Sequence, residues 1–144
     1  VPGFGDIAIR GFNVFALAAV DMACKKKERM TDQVRAGYLA PYNNFANRIA
    51  TLRFVQDIPM SSDALSYSVV KNIEENLEQF KSLPVMIAWG AKDFVFNDHF
   101  LKKWQGIFPE AEVHRVQDAG HYVVEDSYER IIPWIQEFLQ KNPL

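Results

Sequence analysis

Leu83-Pro84-Val85-Met86-Ile87-Ala88-Trp89-Gly90 decides the fold class of this chain. Val85 to Trp89 form an unbroken apolar run, with proline in front and glycine behind. A run so short and so continuously apolar predicts a strand covered on both faces, as in a parallel sheet. Downstream, Asn97 is placed to cap a helix from about Asp98 to Phe108, with Phe100, Leu101, Trp104 and Phe108 apolar and Pro109 ending it. Glu112-Val113-His114-Arg115-Val116 then predicts a second short strand. A last helix is expected from Ser127 to about Gln140, with Pro133 kinking it or shifting its start. Strand, helix, strand in this order is a crossover unit, which joins parallel strands.

The sequence before Leu83 has a different texture. Val1-Pro2-Gly3-Phe4-Gly5 reads as a loop. Helical patterns follow from Ile7 to about Ala23 and from Asp32 to about Leu39 behind a Thr31 cap. Two more run from an Asn43 or Asn44 cap to about Gln56, and from Ser62 to Phe80. The expected fold class is therefore α/β, with a helical segment over residues 1–82 and a β-α-β-α piece over 83–144. Two parallel strands do not make a stable sheet, and parallel sheets need both faces covered. We therefore expect the chain to be incomplete on its own, the C-terminal part of a larger α/β protein. Its missing strands would come from an N-terminal part of the same protein or from a second chain, a homo-oligomer being one such arrangement.

Bulk composition narrows the function classes. The chain has 144 residues, with 16 basic and 18 acidic side chains and a formal charge of −2. That balance offers no electrostatic case for nucleic acid or an acidic membrane surface. Val14 to Val20 is the longest apolar run near the start, far short of the ~20 residues that span a bilayer. Lys25-Lys26-Lys27 comes after it, the reverse of a signal peptide, and is expected to complement a helix C-terminal dipole. The single cysteine, Cys24, excludes an internal disulfide and is expected to be buried, consistent with a reducing, cytoplasmic compartment. His99 and His114 have no partners at metal-ligand spacing, and no phosphate-binding glycine loop occurs. No metal and no cofactor is expected.

Catalytic groups in parallel α/β sheets gather at the carboxyl ends of the strands. Asp93 follows the first strand and His121 follows the second, in Asp118-Ala119-Gly120-His121-Tyr122-Val123-Val124-Glu125-Asp126. Adjacent strands lie ~4.8 Å apart, so the two side chains can converge. A carboxylate on one imidazole nitrogen fixes the tautomer and leaves the other nitrogen as a general base. Asp93 is equally able to shape a turn, and Asp118 and Glu125 are local rivals for the acid.

Gly90-Ala91-Lys92-Asp93, Phe108-Pro109-Glu110-Ala111 and the histidine loop together resemble the last third of α/β-hydrolases. The likeness is strongest to the haloalkane dehalogenase and epoxide hydrolase branch. Tyr38-Leu39-Ala40-Pro41-Tyr42, Arg48 and Phe54-Val55-Gln56-Asp57-Ile58-Pro59 are similar to the cap-domain pattern of haloalkane dehalogenases. The resemblance implies an aspartate nucleophile that forms a covalent ester, His121 activating water to hydrolyse it, and Asp93 orienting His121. Some members place the acid after an earlier strand, which would lie upstream of Val1. Tyr38, Tyr42, Phe45 and Trp89 would line a pocket for a small apolar substrate, although core packing accounts for each equally well. No Gly-x-Ser-x-Gly or Gly-x-Asp-x-Gly elbow is present, so the chain alone is expected to be inactive. A β-lactone decarboxylase of the same superfamily and a non-catalytic helical interaction module are the alternatives.

Overall fold

The structure, a computed structural model, describes residues 4–143. The chain forms two compact units: one built from the residues up to Met22 with Thr31–Asn76, the other from Ala23–Met30 with the residues from Leu77 onward.

The first unit is helical. A π-helical turn, Asp6–Gly11, precedes α1 (Val14–Met22). The continuous helix expected from Ile7 breaks at Asn13, whose φ of 54° is left-handed. Asparagine tolerates that region, and its side-chain amide donates to the Tyr42 carbonyl at 3.4 Å. Of the loop expected at the N-terminus, Val1 to Gly3 lie outside the described residues, while Phe4 and Gly5 are already helical. α2 (Asp32–Leu39) starts as expected, because Thr31 accepts the Val34 amide at 3.3 Å. α3 (Ile49–Asp57) starts later than expected. Residues 43–48 form turns instead, and Asn44 accepts the Asn47 amide at 2.9 Å. The Arg48 guanidinium ties these turns down by donating to the carbonyls of Tyr42, Arg10 and Gly11. α4 (Tyr67–Asn76) is shorter than the stripe from Ser62 to Phe80, and the chain tightens into a 3-10 turn at Leu77–Phe80.

The second unit carries the sheet. β1 (Met86–Gly90) and β2 (Glu112–Val116) are parallel, with Met86 opposite Glu112 and Gly90 opposite Val116. Between them runs α5 (Asp98–Ile107), capped by Asn97, which accepts the His99 amide at 2.9 Å. Leu101, Phe108, Val116, Ala119 and Ile131 form the buried apolar centre. The expectation of a strand covered on both faces is only half met. Met86 to Trp89 are partly exposed, and Gly90 alone in β1 is buried, because β1 has a neighbour on one edge only among the described residues.

α6 (Val123–Lys141) closes the chain. Its break lies at Ser127 (φ −154°, ψ 32°), not at Pro133, which sits inside regular helix. The first turn is held by the Asp126 carboxylate, which accepts backbone amides from elsewhere in the unit, and the axis changes there. The lysine run also has a different role from the one expected. Lys25 and Lys26 turn their backbone amides to Asp126, at 2.9 and 2.7 Å, rather than ending α1. No helix among the described residues is long and apolar enough to cross a membrane.

Candidate active site

β1 ends in a turn that leaves no room for a side chain. A Cβ on Gly90 would lie 2.1 Å from the Gly120 carbonyl oxygen, so the turn after β1 and the histidine loop touch backbone to backbone. Lys92 N–H donates to the Ala119 carbonyl at 2.8 Å and Asp93 N–H to the Gly90 carbonyl at 3.1 Å, fixing the turn. Asp93 is then held from its far side. Its Oδ1 accepts the amides of Val95 and Phe96 at 2.7 and 3.0 Å. Oδ2 lies 2.9 Å from His121 Nδ1. The side chain of Asp93 is 9 % exposed and that of His121 is 32 % exposed, so the carboxylate is shielded while the imidazole keeps an open face.

The structure thus brings together the two residues that the sequence places one crossover apart. With a proton on Nδ1 donated to Asp93, Nε2 presents a lone pair, and an imidazolium formed by protonating it is stabilised by the carboxylate. One rival, Asp118, is engaged elsewhere. Asp118 pairs with Arg130 and, at 2.8 Å, with Lys26; those two cations hold its carboxyl well below the usual range. Glu125 lies in the first turn of α6.

Aromatic rings frame His121. Phe96 and Phe94 have ring centroids 5.6 and 6.4 Å from the imidazole, and Tyr122 stacks at 6.0 Å. Phe96 packs edge-on against Phe100 at 5.3 Å. Phe94 and Phe96 are not among the residues that the sequence pattern marks for the site. The available signal was Phe94-Val95-Phe96, an apolar triplet in a turn where polar residues are the rule. Of the expected pocket residues, Tyr38, Tyr42 and Phe45 belong to the first unit and Trp89 to the second. Phe45 lies under the Arg10 guanidinium, 3.9 Å from its ring centroid. Trp89 Nε1 is buried without a hydrogen-bond partner among the described residues. His114 stacks on Trp134 at 4.1 Å and bonds Glu112 at 2.6 Å, and no group of metal-ligating side chains occurs among the described residues.

A histidine loop beyond one parallel strand, facing a carboxylate beyond the next, defines an α/β protein with its site at the carboxyl edge of the sheet. Residues 13–128 match the family model for the alpha/beta hydrolase fold, and the chain belongs to that family. Among curated proteins it is similar to a cis-3-alkyl-4-alkyloxetan-2-one decarboxylase of Shewanella oneidensis. The two are 43% identical over 138 residues, which make up 96% of this chain and 43% of the relative. The protein of the same name from Xanthomonas campestris pv. campestris is 42% identical over 140 residues, covering 97% of this chain and 46% of the relative. The chain thus spans under half the length of the curated relatives it matches. Among solved structures it superposes on haloalkane dehalogenase DbeA from Bradyrhizobium elkani with a TM-score of 0.81 at 17% identity, covering 99% of this chain and 50% of that one. Haloalkane dehalogenase DatA from Agrobacterium tumefaciens gives 0.79 at 20% identity, with 98% and 48% covered. At those identities the likeness is one of fold.

Proposed function

We propose that the chain supplies the histidine and its orienting acid to an α/β-hydrolase-fold enzyme that decarboxylates alkyl-substituted oxetan-2-ones. The observation that carries the reading is the His121 Nδ1 to Asp93 Oδ2 pair at 2.9 Å, in a chain more than 40% identical to two such decarboxylases. Loss of carbon dioxide from an oxetan-2-one breaks the C4–O1 and C2–C3 bonds. The C2–C3 electron pair becomes the C3=C4 double bond. The net change consumes neither water nor a proton. A histidinium held by Asp93 would steady the carboxylate that develops as C4–O1 breaks. Phe94, Phe96 and Tyr122 favour an apolar substrate at that site.

The chain contains no Gly-x-[Ser/Asp]-x-Gly elbow, so a nucleophile that bonds C4 as C4–O1 breaks, and is expelled as the C2–C3 pair becomes the double bond, would be contributed from outside it, and the chain alone is inactive. The fold likeness to haloalkane dehalogenases supports a second reading, in which His121 activates water and each turnover releases halide and a proton. An assay of the full-length protein separates the two. Decarboxylation yields alkene and carbon dioxide and no halide; dehalogenation yields an alcohol and halide and no alkene. We expect alkene from a dialkyl oxetan-2-one, with kcat lowered about 10²–10⁴-fold by His121→Ala. Halide release without alkene would move the assignment to the second reading. Turnover by the isolated chain, lost on His121→Ala, would contradict the missing nucleophile.

A further inference from the structure

We propose that Asp126 is a positioning residue for His121: its buried carboxylate, cradled by three backbone amides and a thiol, fixes the turn that presents the imidazole to Asp93. This rests on the reading of His121 as the proton-handling group.

Asp126 is fully buried. Its Oδ1 accepts the amides of Lys25 and Lys26 at 2.9 and 2.7 Å and the Cys24 thiol at 3.0 Å. Its Oδ2 accepts the Gly120 amide at 2.7 Å. Burial by itself pushes the Asp126 carboxyl up. The amides of Gly120 and Lys26, the Cys24 thiol and the Lys25 amide outweigh that and hold it below the ordinary value. The group is therefore a charged anchor at neutral pH, and charge-assisted bonds of this kind are the strong ones.

What it anchors is the backbone on either side of the histidine. Gly120 N–H is fixed by Asp126, and Tyr122 N–H donates to the Ala23 carbonyl at 3.1 Å. The backbone is thus held one residue before and one residue after His121, through Asp126 and directly, to the segment from Ala23 to Lys26, nearly one hundred residues away in sequence. The fit is tight, since a Cβ on Gly120 would meet the Ala23 oxygen at 2.6 Å. With both flanks fixed, the remaining freedom of His121 is its side-chain torsions, and Asp93 sets those. An asparagine at position 126 has the shape but one acceptor oxygen. Its NH₂ must face a backbone donor, either at Gly120 or at Lys25 and Lys26.

The test uses the full-length protein labelled with ¹⁵N-histidine. The readouts are the downfield Nδ1 proton of His121, identified by its loss in His121→Gln, and kcat per folded site on the oxetan-2-one. In Asp126→Asn the Nδ1 signal is expected to broaden or vanish. There kcat falls about 10- to 100-fold with KM within about twofold. Ile131→Ala, a core truncation further along α6, lowers the unfolding midpoint and moves neither readout. Where Asp126→Asn does not fold, Lys26→Pro replaces it. That change removes one cradling amide at a backbone φ of −83°, close to what proline adopts. Lys26→Ala, which loses only the side chain, is its control. A weakened Nδ1 signal in Lys26→Pro and not in Lys26→Ala supports the proposal. An unchanged Nδ1 signal in folded Asp126→Asn, or the same signal in both Lys26 variants, overturns it. Turnover that survives His121→Ala would sink the catalytic reading instead, and the Nδ1 signal would still decide whether Asp126 positions the ring.

Discussion

At the carboxyl ends of β1 and β2 the buried carboxylates are richly hydrogen-bonded. Asp93 accepts two amides and faces His121, while Asp126 accepts three amides and a thiol. Along the outer side of α6, in the same unit, the opposite holds. Tyr128, Ile132, Ile135 and Leu139 recur at helical spacing, and each remains at least 40% exposed. The unit therefore partners its buried carboxylates before it covers its apolar faces. The Asp93–His121 geometry needs only the turns after two adjacent strands and the short segment from Ala23 to Lys26. Covering the apolar faces of a parallel sheet takes further layers.

The largest effect is expected where the two strand-end turns meet. In Gly90→Ala the new methyl would lie 2.1 Å from the Gly120 carbonyl oxygen. Neither backbone can retreat freely, because Lys92 N–H is bonded to Ala119 and Gly120 N–H to Asp126. We expect a loss of about 4 kcal/mol or more in urea unfolding of the full-length protein, the range reserved for backbone-level clashes. Gly106→Ala is the matched control. It lies in α5 with nothing within 4 Å of the added methyl. There the change should be neutral or stabilising by about 0.5–1 kcal/mol. Equal effects at the two glycines would mean that the strand ends are not packed as described.

The apolar side of the contrast concerns association. Exposed apolar faces on this scale drive self-association. Sedimentation of the isolated 144-residue chain is expected to show oligomers or partial unfolding. Ile132→Glu combined with Ile135→Lys should shift the population toward monomer. A cooperative, monomeric parent chain would show that the stripe and the half-covered strand need no partner.

How far the sequence disclosed this contrast depended on the range of the interactions. The strands, their parallel pairing and the meeting of Asp93 with His121 were legible, because one crossover unit contains them all and strand-end placement follows from topology. The Thr31 and Asn97 caps were legible because a cap is local. The Asn13 break was not. Its left-handed φ goes with a bond to Tyr42, 29 residues away, and the apolar periodicity runs through the position without a mark. Pro133 was expected to kink α6 or shift its start, whereas the break lies at Ser127, beside the tied Asp126. Asp126 stood within the quoted loop and went unremarked, since its partners are backbone amides and a backbone amide has no sequence signature. The Lys25-Lys26-Lys27 run misled for the same reason: its charge is visible in sequence, but its amides hold the cradle.

The smallest predicted effect probes the cradle through its thiol. Burial, then the hydrogen bond to Asp126 and the negative charge of that carboxylate, push the Cys24 thiol from 9.0 up to about 12. In the unfolded chain the thiol loses its proton near the ordinary value, while in the folded chain it keeps it. The protonated thiol therefore contributes stability in full below pH 9, and that contribution drains away as pH rises through 12. One pH unit above the ordinary value the loss is roughly 1 kcal/mol. Other groups titrate in the same window, so the useful quantity is the difference from Cys24→Ala, which has no thiol to ionise. Urea midpoints of parent and variant, compared at about pH 8 and about pH 10, should converge or cross in favour of the variant. A difference that stays constant would mean that Cys24 ionises in the folded protein as readily as in the unfolded one. The thiol would then sit apart from the Asp126 carboxylate, and the cradle would rest on its three amides alone.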